Sequence, residues 1–359
     1  MKPISIDKLD SNFIVDTNIT EPDIVWLDAK SAPFEICGIM YDEEDKRYVR
    51  MPQNVAETVS ERVFNLNRCT AGGRVRFRTN STFLAIHAVM ENRPSMPHIT
   101  LLGQSGFDCF RRVHRSETPT FALPFMPPVG MTEGYSYALP QPFDGEMAEY
   151  TINFPLYDCV KELYIAVKKD SELLPPFEYL NKKPVVYYGS SITQGGCASR
   201  PGNAYQAILT RRLDVDHINL GFSGSARGEA EIADYIASLD MSVFVCDYDN
   251  NAPSIEHLRD TYYPMYKKVR DAHPDLPIIM ISAPNVISHP TWAARRDVIY
   301  DVYSNAINSG DKNVYFIDGG ELLDGECWDS CRVDYSHPND LGFYRMAMRI
   351  EKDLKPLLK

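Results

Sequence analysis

Short β-rich runs alternate with longer helical runs from residue 185 to the carboxyl terminus, and this alternation is the strongest constraint on the fold. The β-rich runs cover 185–188, 217–220, 243–247, 278–281 and 314–317. The helical runs cover 204–213, 229–239, 254–272, 292–308 and 341–358. Regular alternation favours right-handed crossovers and a parallel sheet covered by helices on both faces. This half of the chain is therefore predicted to be an α/β domain, a three-layer α/β/α sandwich.

The preceding half of the chain has a different pattern, in which short strands are separated by turns. The strand candidates are 25–29, 34–40, 74–79, 83–90, 107–113, 150–157 and 163–168. Such spacing favours an all-β sandwich of the jelly-roll type. We interpret 74–79 and 83–90 as a hairpin, with its arginines at 74, 76 and 78 on a solvated face. The proline-rich run 122–130 is interpreted as a loop, because prolines remove donors from a strand ladder.

Two domains are expected, because 359 residues exceed what one hydrophobic core usually organises. Charged residues and Pro175-Pro176 interrupt the strand pattern just before the period of the sequence changes. The predicted division is a β-sandwich accessory domain at 1–170, a linker at 171–183 and the α/β domain at 184–359.

The net charge of −12 opposes binding to nucleic acid or to anionic membranes, because both partners are negative at neutral pH. No apolar run reaches membrane-spanning length, and residues 1–8 lack the pattern of a secretion signal, so a cytoplasmic protein is expected. The eight cysteines lack paired CxxC spacing and are predicted to be free thiols. No metal and no cofactor are predicted, and the oligomeric state stays open.

Residues that can carry chemistry follow the predicted strands. They are Ser191 after the first strand, Gly224 after the second, Asn251 after the third, and Asp334 with His337 ahead of the last helix. Because the carboxyl ends of parallel strands border one crevice, these groups are expected to converge. A serine, an imidazole and an acid are the parts of a catalytic triad. The other interpretation of Ser190 and Ser191 is that they cap a helix or line a turn.

These separated blocks resemble those of the SGNH hydrolases, the GDSL-type esterase superfamily. The matching blocks are Gly189-Ser190-Ser191-Ile192-Thr193, Gly224, Asn251, and Asp334 with His337. Ser190 stands where the superfamily usually has an aspartate, and Asn250 is the fallback for Asn251. The resemblance begins at Pro184 and implies the flavodoxin-like fold of that superfamily.

The resemblance also implies a role for each residue. Ser191 would be the nucleophile, His337 the base that takes its proton, and Asp334 the acid that orients the imidazole. The oxyanion donors would be the backbone N–H groups of Ser191 and Gly224 and the side-chain amide of Asn251.

The run Gly106-Phe107-Asp108-Cys109-Phe110 resembles the Gly-x-Asp-Leu-Tyr signature of multidomain bacterial members with an amino-terminal β module. Such members are similar to carbohydrate esterases that remove acyl groups, often acetyl, from sugars. The resemblance thus implies a serine esterase, with a small ester or an oligosaccharide ester as its substrate. The alternatives are a noncatalytic glycan-binding protein, and a lipase or thioesterase that uses the same triad.

Two further residues are candidates for contact with substrate. Arg200 lies in the loop after the nucleophile and would either contact substrate or hold that loop, and we favour the structural role. Trp292 follows the fourth strand of the α/β domain and is interpreted as a packing residue or a platform for a sugar ring.

Overall fold

A computed structural model describes residues 18–91, 95–140, 143–284 and 290–358. It divides the chain into two compact units. Unit 1 contains residues 1–50, 68–178 and 200–202, and unit 2 contains 51–67, 179–199 and 203–359. In the described part of the chain, no helix has the length and hydrophobicity needed to cross a membrane.

Unit 1 is built from antiparallel strands. They are β1 (Ile24–Asp28), β2 (Glu35–Cys37), β3 (Met40–Asp42), β4 (Arg47–Val49), β5 (Arg74–Thr79), β6 (Ala85–Glu91), β7 (Phe107–Arg112), β8 (Thr120–Phe125), β9 (Gly134–Ala138), β10 (Ala148–Asn153), β11 (Cys159–Lys168) and β12 (Leu173–Leu174). The two larger sheets have the orders β1-β11-β6-β9 and β12-β5-β10-β7-β8, with β2 also paired to β5, and β3 pairs with β4 in a separate two-stranded sheet. Side chains of both sheets, among them Ile86 and Phe77, form one hydrophobic core. The predicted β-rich domain is thus confirmed.

The predicted hairpin of 74–79 and 83–90 is wrong, because the two strands belong to different sheets. β5 pairs with β10, whereas β6 pairs with β11 and β9. A short polar turn between two apolar strands occurs both in a hairpin and at a corner between sheets. The pairing is decided by strands that lie far away in the sequence, so the local pattern could not show it.

The predicted solvated arginine face is also wrong. Arg76 is 1% exposed, and its guanidinium contacts the carboxylate of Glu149, which is 2% exposed, at 2.8 Å. Arg112 binds the other oxygen of the same carboxylate at 2.8 Å. A buried charge is tolerated when it is paired and hydrogen-bonded. The acid that makes this burial possible comes from a neighbouring strand, β10.

The proline-rich run is only partly a loop, because β8 continues through Pro124 to Phe125. β8 lies at the edge of its sheet, where it pairs only with β7 among the described strands. A proline costs little at such an edge, since its missing N–H faces away from the ladder.

Unit 2 contains a parallel sheet between helices. Its strands are β13 (Asn181–Gly189), β14 (Val215–Gly221), β15 (Val243–Asp247), β16 (Ile278–Ile281) and β17 (Val314–Ile317), in the order β14-β13-β15-β16-β17. The α-helices of the described residues are α1 (Gln53–Val59), α2 (Glu61–Asn67), α3 (Leu101–Ser105), α4 (Ser191–Gln194), α5 (Tyr205–Leu213), α6 (Ala230–Ser238), α7 (Ile255–Ala272), α8 (Pro290–Asn308) and α9 (Asp340–Leu354), and among these α3 is the one in unit 1. The predicted α/β domain is confirmed.

Two segments are grouped differently from the division at 171–183. Helices α1 and α2 belong to unit 2, where Ala56 and Val63 join the hydrophobic core of the parallel sheet. The side chain of Asn67 links the two ends of this segment. It accepts from the N–H of Met51 at 2.9 Å and donates to the carbonyl of Met51 at 2.8 Å. Residues 200–202 belong to unit 1. Helices of seven residues carry too little periodicity to show from sequence which sheet they will cover.

Candidate active site

Ser191 is the first residue of the short helix α4, directly after strand β13. The turn requires glycine at position 189, because a Cβ there would lie 2.2 Å from Thr193 Oγ1 and 2.5 Å from the Asp247 carbonyl oxygen. Ser190 is buried and caps the helix, since its Oγ accepts from the N–H of Ile192 at 3.2 Å. The two neighbouring serines thus have different tasks, and the second one faces the imidazole.

Ser191, His337 and Asp334 form a continuous hydrogen-bonded row. Ser191 Oγ lies 2.8 Å from His337 Nε2, and His337 Nδ1 lies 2.8 Å from Asp334 Oδ2. The other oxygen of Asp334 accepts from the backbone N–H groups of Ser336 and His337, each at 2.8 Å. The structure therefore brings together the three residues that the sequence singled out, in the order that a triad requires.

The carboxyl of Asp334 is ionised at neutral pH. Partial burial raises its pKa, but the backbone N–H groups of His337 and Ser336 and the imidazole outweigh that effect and lower the pKa to about 2. An ionised acid can accept the imidazole's Nδ1–H, which leaves Nε2 free of its proton and able to accept one from Ser191.

Gly224 and Asn251 lie at the same corner of unit 2. Gly224 has a φ of +65°, and a Cβ built on it would meet nothing within 4 Å, so open space lies beside its backbone. Asn251 ends a 3-10 turn after β15, and its Nδ2 donates to the carbonyl of Phe222 at 2.9 Å. Asn250 makes no such contact, and within the described chain both polar atoms of its side chain are buried without a hydrogen-bond partner. The oxyanion role of Asn251, with Asn250 as its fallback, stays a prediction.

Among the described contacts, none joins Arg200 or Trp292, the two predicted substrate-contact residues, to a residue of the triad. Arg200 belongs to unit 1, where Nη1 donates to Asp108 Oδ2 at 2.8 Å and the guanidinium lies 3.8 Å from the centroid of the Phe121 ring. Trp292 lies in α8, with its ring centroid 5.5 Å from the guanidinium of Arg295. A substrate contact by either residue stays a prediction.

Sequence reasoning missed a buried layer beneath the nucleophile. Thr193 Oγ1 donates to Asp247 Oδ2 at 3.0 Å, and the Tyr205 hydroxyl donates to the same oxygen at 3.4 Å. Burial and the nearby charge of Asp249 raise the pKa of the Asp247 carboxyl well above its ordinary value. Burial likewise raises the pKa of Asp249, to about 6. No motif marks these residues, because their contacts join segments that are far apart in the sequence.

Two family matches cover most of the chain. Residues 182–355 match the GDSL-like Lipase/Acylhydrolase family, and residues 24–173 match the GxDLY family, described as the N-terminus of SGNH hydrolase-type esterases. The chain belongs to the SGNH hydrolases. The esterase class predicted from the four blocks is therefore confirmed, and Gly106-Phe107-Asp108-Cys109-Phe110 lies within the second match.

Solved structures share the fold of this SGNH hydrolase. A candidate GDSL-like lipase from Bacteroides ovatus is 28% identical, with a TM-score of 0.83 over 93% of this chain and 98% of that one. The salicylyl-acyltransferase SsfX3 of a tetracycline biosynthetic pathway is 17% identical, with a TM-score of 0.77 over 94% and 98%. A family two carbohydrate esterase from Clostridium thermocellum, in complex with cellohexaose, is 14% identical, with a TM-score of 0.62 over 90% and 98%. No curated protein matches the chain.

Proposed function

We propose that this SGNH hydrolase is a serine esterase that removes acyl groups, and acetyl groups in particular, from carbohydrates through an acyl-enzyme on Ser191. The observation that carries the proposal is the row of two 2.8 Å hydrogen bonds from Ser191 through His337 to Asp334. A serine hydroxyl is a weak nucleophile until a base removes its proton, and this row supplies that base with its orienting acid.

In the first step, Ser191 Oγ attacks the ester carbonyl while His337 Nε2 takes its proton. The oxyanion that forms would be stabilised by the backbone N–H groups of Ser191 and Gly224 and by the amide of Asn251. His337 then gives the proton to the leaving sugar hydroxyl, and the acyl group stays on Ser191. In the second step, His337 takes a proton from water as the water oxygen attacks the acyl-enzyme, and His337 then returns that proton to Ser191 Oγ as the acid leaves.

The thiol of Cys197, six residues after Ser191, is a poor competitor for the nucleophile's role. Burial, together with the nearby charge of Asp334, raises the pKa of this thiol to about 12. Since the thiolate is the reactive form of cysteine, this residue is inert at neutral pH. The chemistry therefore depends on the hydroxyl of Ser191.

Two observations support a carbohydrate as the substrate. One is the shared fold with a carbohydrate esterase that was solved with cellohexaose. The other is a pair of exposed aromatic side chains in the segment that carries the triad acid and base, since Trp328 is 57% exposed and Tyr335 is 60% exposed. Asn339 connects the turn that contains Trp328 to the rest of this segment, because its Nδ2 donates to the carbonyl of Ser330 at 2.7 Å. Exposed aromatic faces of this kind stack on sugar rings.

Ester hydrolysis with two serine variants tests the nucleophile. Ser191→Ala is expected to abolish both the burst and the steady-state release of p-nitrophenol from p-nitrophenyl acetate. Ser190→Ala is the matched control at the neighbouring position. It removes the helix cap, at a cost of about 1 kcal/mol in stability, but leaves the nucleophile in place. If Ser191→Ala retained wild-type hydrolysis, the proposal would be wrong.

A substrate series tests the acyl group and the sugar. A sharp optimum at acetyl over longer p-nitrophenyl esters is expected, whereas rates that rise through octanoyl would indicate a lipase or thioesterase. Trp328→Ala is expected to raise KM for acetylated oligosaccharides by about 2- to 10-fold and to leave p-nitrophenyl acetate hydrolysis nearly unchanged. Tyr344→Ala, at a similarly exposed aromatic residue on α9, is the control. Tight glycan binding with no ester hydrolysis would indicate a binding protein instead.

A further inference from the structure

The peptide group between Phe222 and Ser223 is held from both sides. Its carbonyl oxygen accepts from Asn251 Nδ2 at 2.9 Å and from the backbone N–H groups of Ser225 and Ala226, and its N–H donates to Gln194 Oε1 at 3.0 Å. Gln194 is the last residue of α4, the helix that begins with Ser191. One peptide plane therefore connects the nucleophile's helix to the side chain of Asn251.

From this geometry we propose that Gln194 is a positioning residue for the oxyanion hole, a role that rests on the esterase function proposed above. Gly224 directly follows Ser223, so anchoring the Ser223 N–H to Gln194 limits the placement of the next peptide, which carries the Gly224 N–H. Asn251 has two N–H groups on one planar amide. Because one of them is bound to the Phe222 carbonyl, the direction of the other is set as well.

Gln194 itself has little freedom to move. Its side chain is fully buried, and its N–H donates to the carbonyl of Ser190 at 3.0 Å. A Cβ on Gly221 would lie 2.2 Å from the Gln194 nitrogen, so strand β14 approaches this helix end as closely as a glycine permits. Gln194 thus anchors the Phe222–Ser223 peptide to the short helix that begins with Ser191. The three oxyanion donors are therefore held by one connected set of contacts.

Groups that stabilise a transition state tolerate little displacement, because they have to be held within about 0.5 Å of the productive geometry. Losing one oxyanion donor entirely lowers kcat by about 10²–10³. Gln194→Met removes the acceptor but keeps the bulk, so it misaligns donors without deleting any. The expected loss in kcat is about 10- to 100-fold, with KM and the shape of the pH profile nearly unchanged.

A double-mutant cycle with Asn251→Ala separates positioning from general stability. If Gln194 acts partly through Asn251, the loss caused by Gln194→Met is expected to be at least about 3-fold smaller in the Asn251→Ala background. Gln206→Met is the matched control, because Gln206 is equally buried and contacts α4 through the Thr193 carbonyl at 2.7 Å. Its effect is expected to multiply with that of Asn251→Ala. Equal factors for Gln194→Met in both backgrounds would overturn the proposal.

A second readout does not need activity. Hydrogen exchange of the Ser223 amide is expected to be slow in the wild type, faster in Gln194→Met, and slow again in Gln194→Glu, which restores an oxygen acceptor. Unchanged exchange in Gln194→Met would refute the role of Gln194. Gln194→Leu replaces the methionine variant if that one fails to fold. If the wild type hydrolyses no ester, the proposed function fails, while the exchange data still decide whether Gln194 holds this peptide.

Discussion

The two sides of the candidate active site are supported in opposite ways. His337 is held by a local, partly exposed loop, in which Asp334 binds both its backbone N–H and its imidazole from three residues away. Ser191 is held by a buried layer, in which Thr193 donates to Asp247 and Gln194 accepts from Ser223, across 54 and 29 residues of sequence. The base depends on short-range contacts and the nucleophile on long-range ones. Substitutions on the two sides should therefore separate activity from stability.

The largest effect is expected from His337→Ala. Without the base, kcat should fall by about 10⁴-fold or more. The melting temperature should change little, because the side chain is 21% exposed and belongs to neither hydrophobic core. Tyr344→Ala is a suitable control, as an exposed residue outside the triad. A melting temperature that fell as far as that of a core variant would mean that the loop is not locally supported.

The next effect in size is expected from Asp334→Asn. The amide can hold the imidazole in the wrong tautomer, and kcat should fall by about 10²–10⁴-fold. Since the pKa of Asp334 is lowered to about 2, the carboxylate is fully ionised above about pH 4. The loss in kcat measured at pH 8 should therefore report the missing carboxylate and not its titration. Any stability that the ionised carboxylate contributes is present above its ordinary pKa and disappears as the pH falls through about 2. Wild-type kcat in Asp334→Asn at pH 8 would contradict the assignment of Asp334 as the triad acid.

The same contrast explains what could be predicted from the sequence. Asp334 and His337 could be paired from their spacing of three residues, because their contact is local. Strands β13, β15 and β16 can be predicted as continuous apolar runs, since both faces of the sheet are buried there. The expected convergence of Ser191, Gly224 and Asn251 rests on the rule that the carboxyl ends of such strands share one edge, and it stays a prediction.

What could not be predicted depends on contacts between distant segments. The pairing of Arg76 with Glu149 joins residues that are 73 positions apart, and this pairing turned an apparently solvated face into a buried one. Strands β5 and β6 look like a hairpin until β10 and β11 are known to be their partners. The departure at Ser190 proved to be local after all. Its hydroxyl caps α4, a task that an aspartate could also perform.

The smallest effect on activity, and the sharpest test of the buried side, is expected from Asp247→Asn. The asparagine keeps an oxygen that can accept from Thr193 and Tyr205, so kcat should stay within a few-fold of wild type.

The stability of Asp247→Asn, in contrast, should depend on pH differently from that of the wild type. Because burial and the charge of Asp249 raise the pKa of Asp247, the folded wild type holds a proton that the unfolded chain releases above about pH 4. The free energy of unfolding of the wild type must then fall as the pH rises, until the folded pKa is passed. Asparagine does not titrate. The melting temperature of the variant should therefore rise relative to that of the wild type by about 2 °C or more between pH 5 and pH 8. A difference that does not change with pH would show that Asp247 is ionised in the folded protein, and that the nucleophile's helix rests on a buried charge.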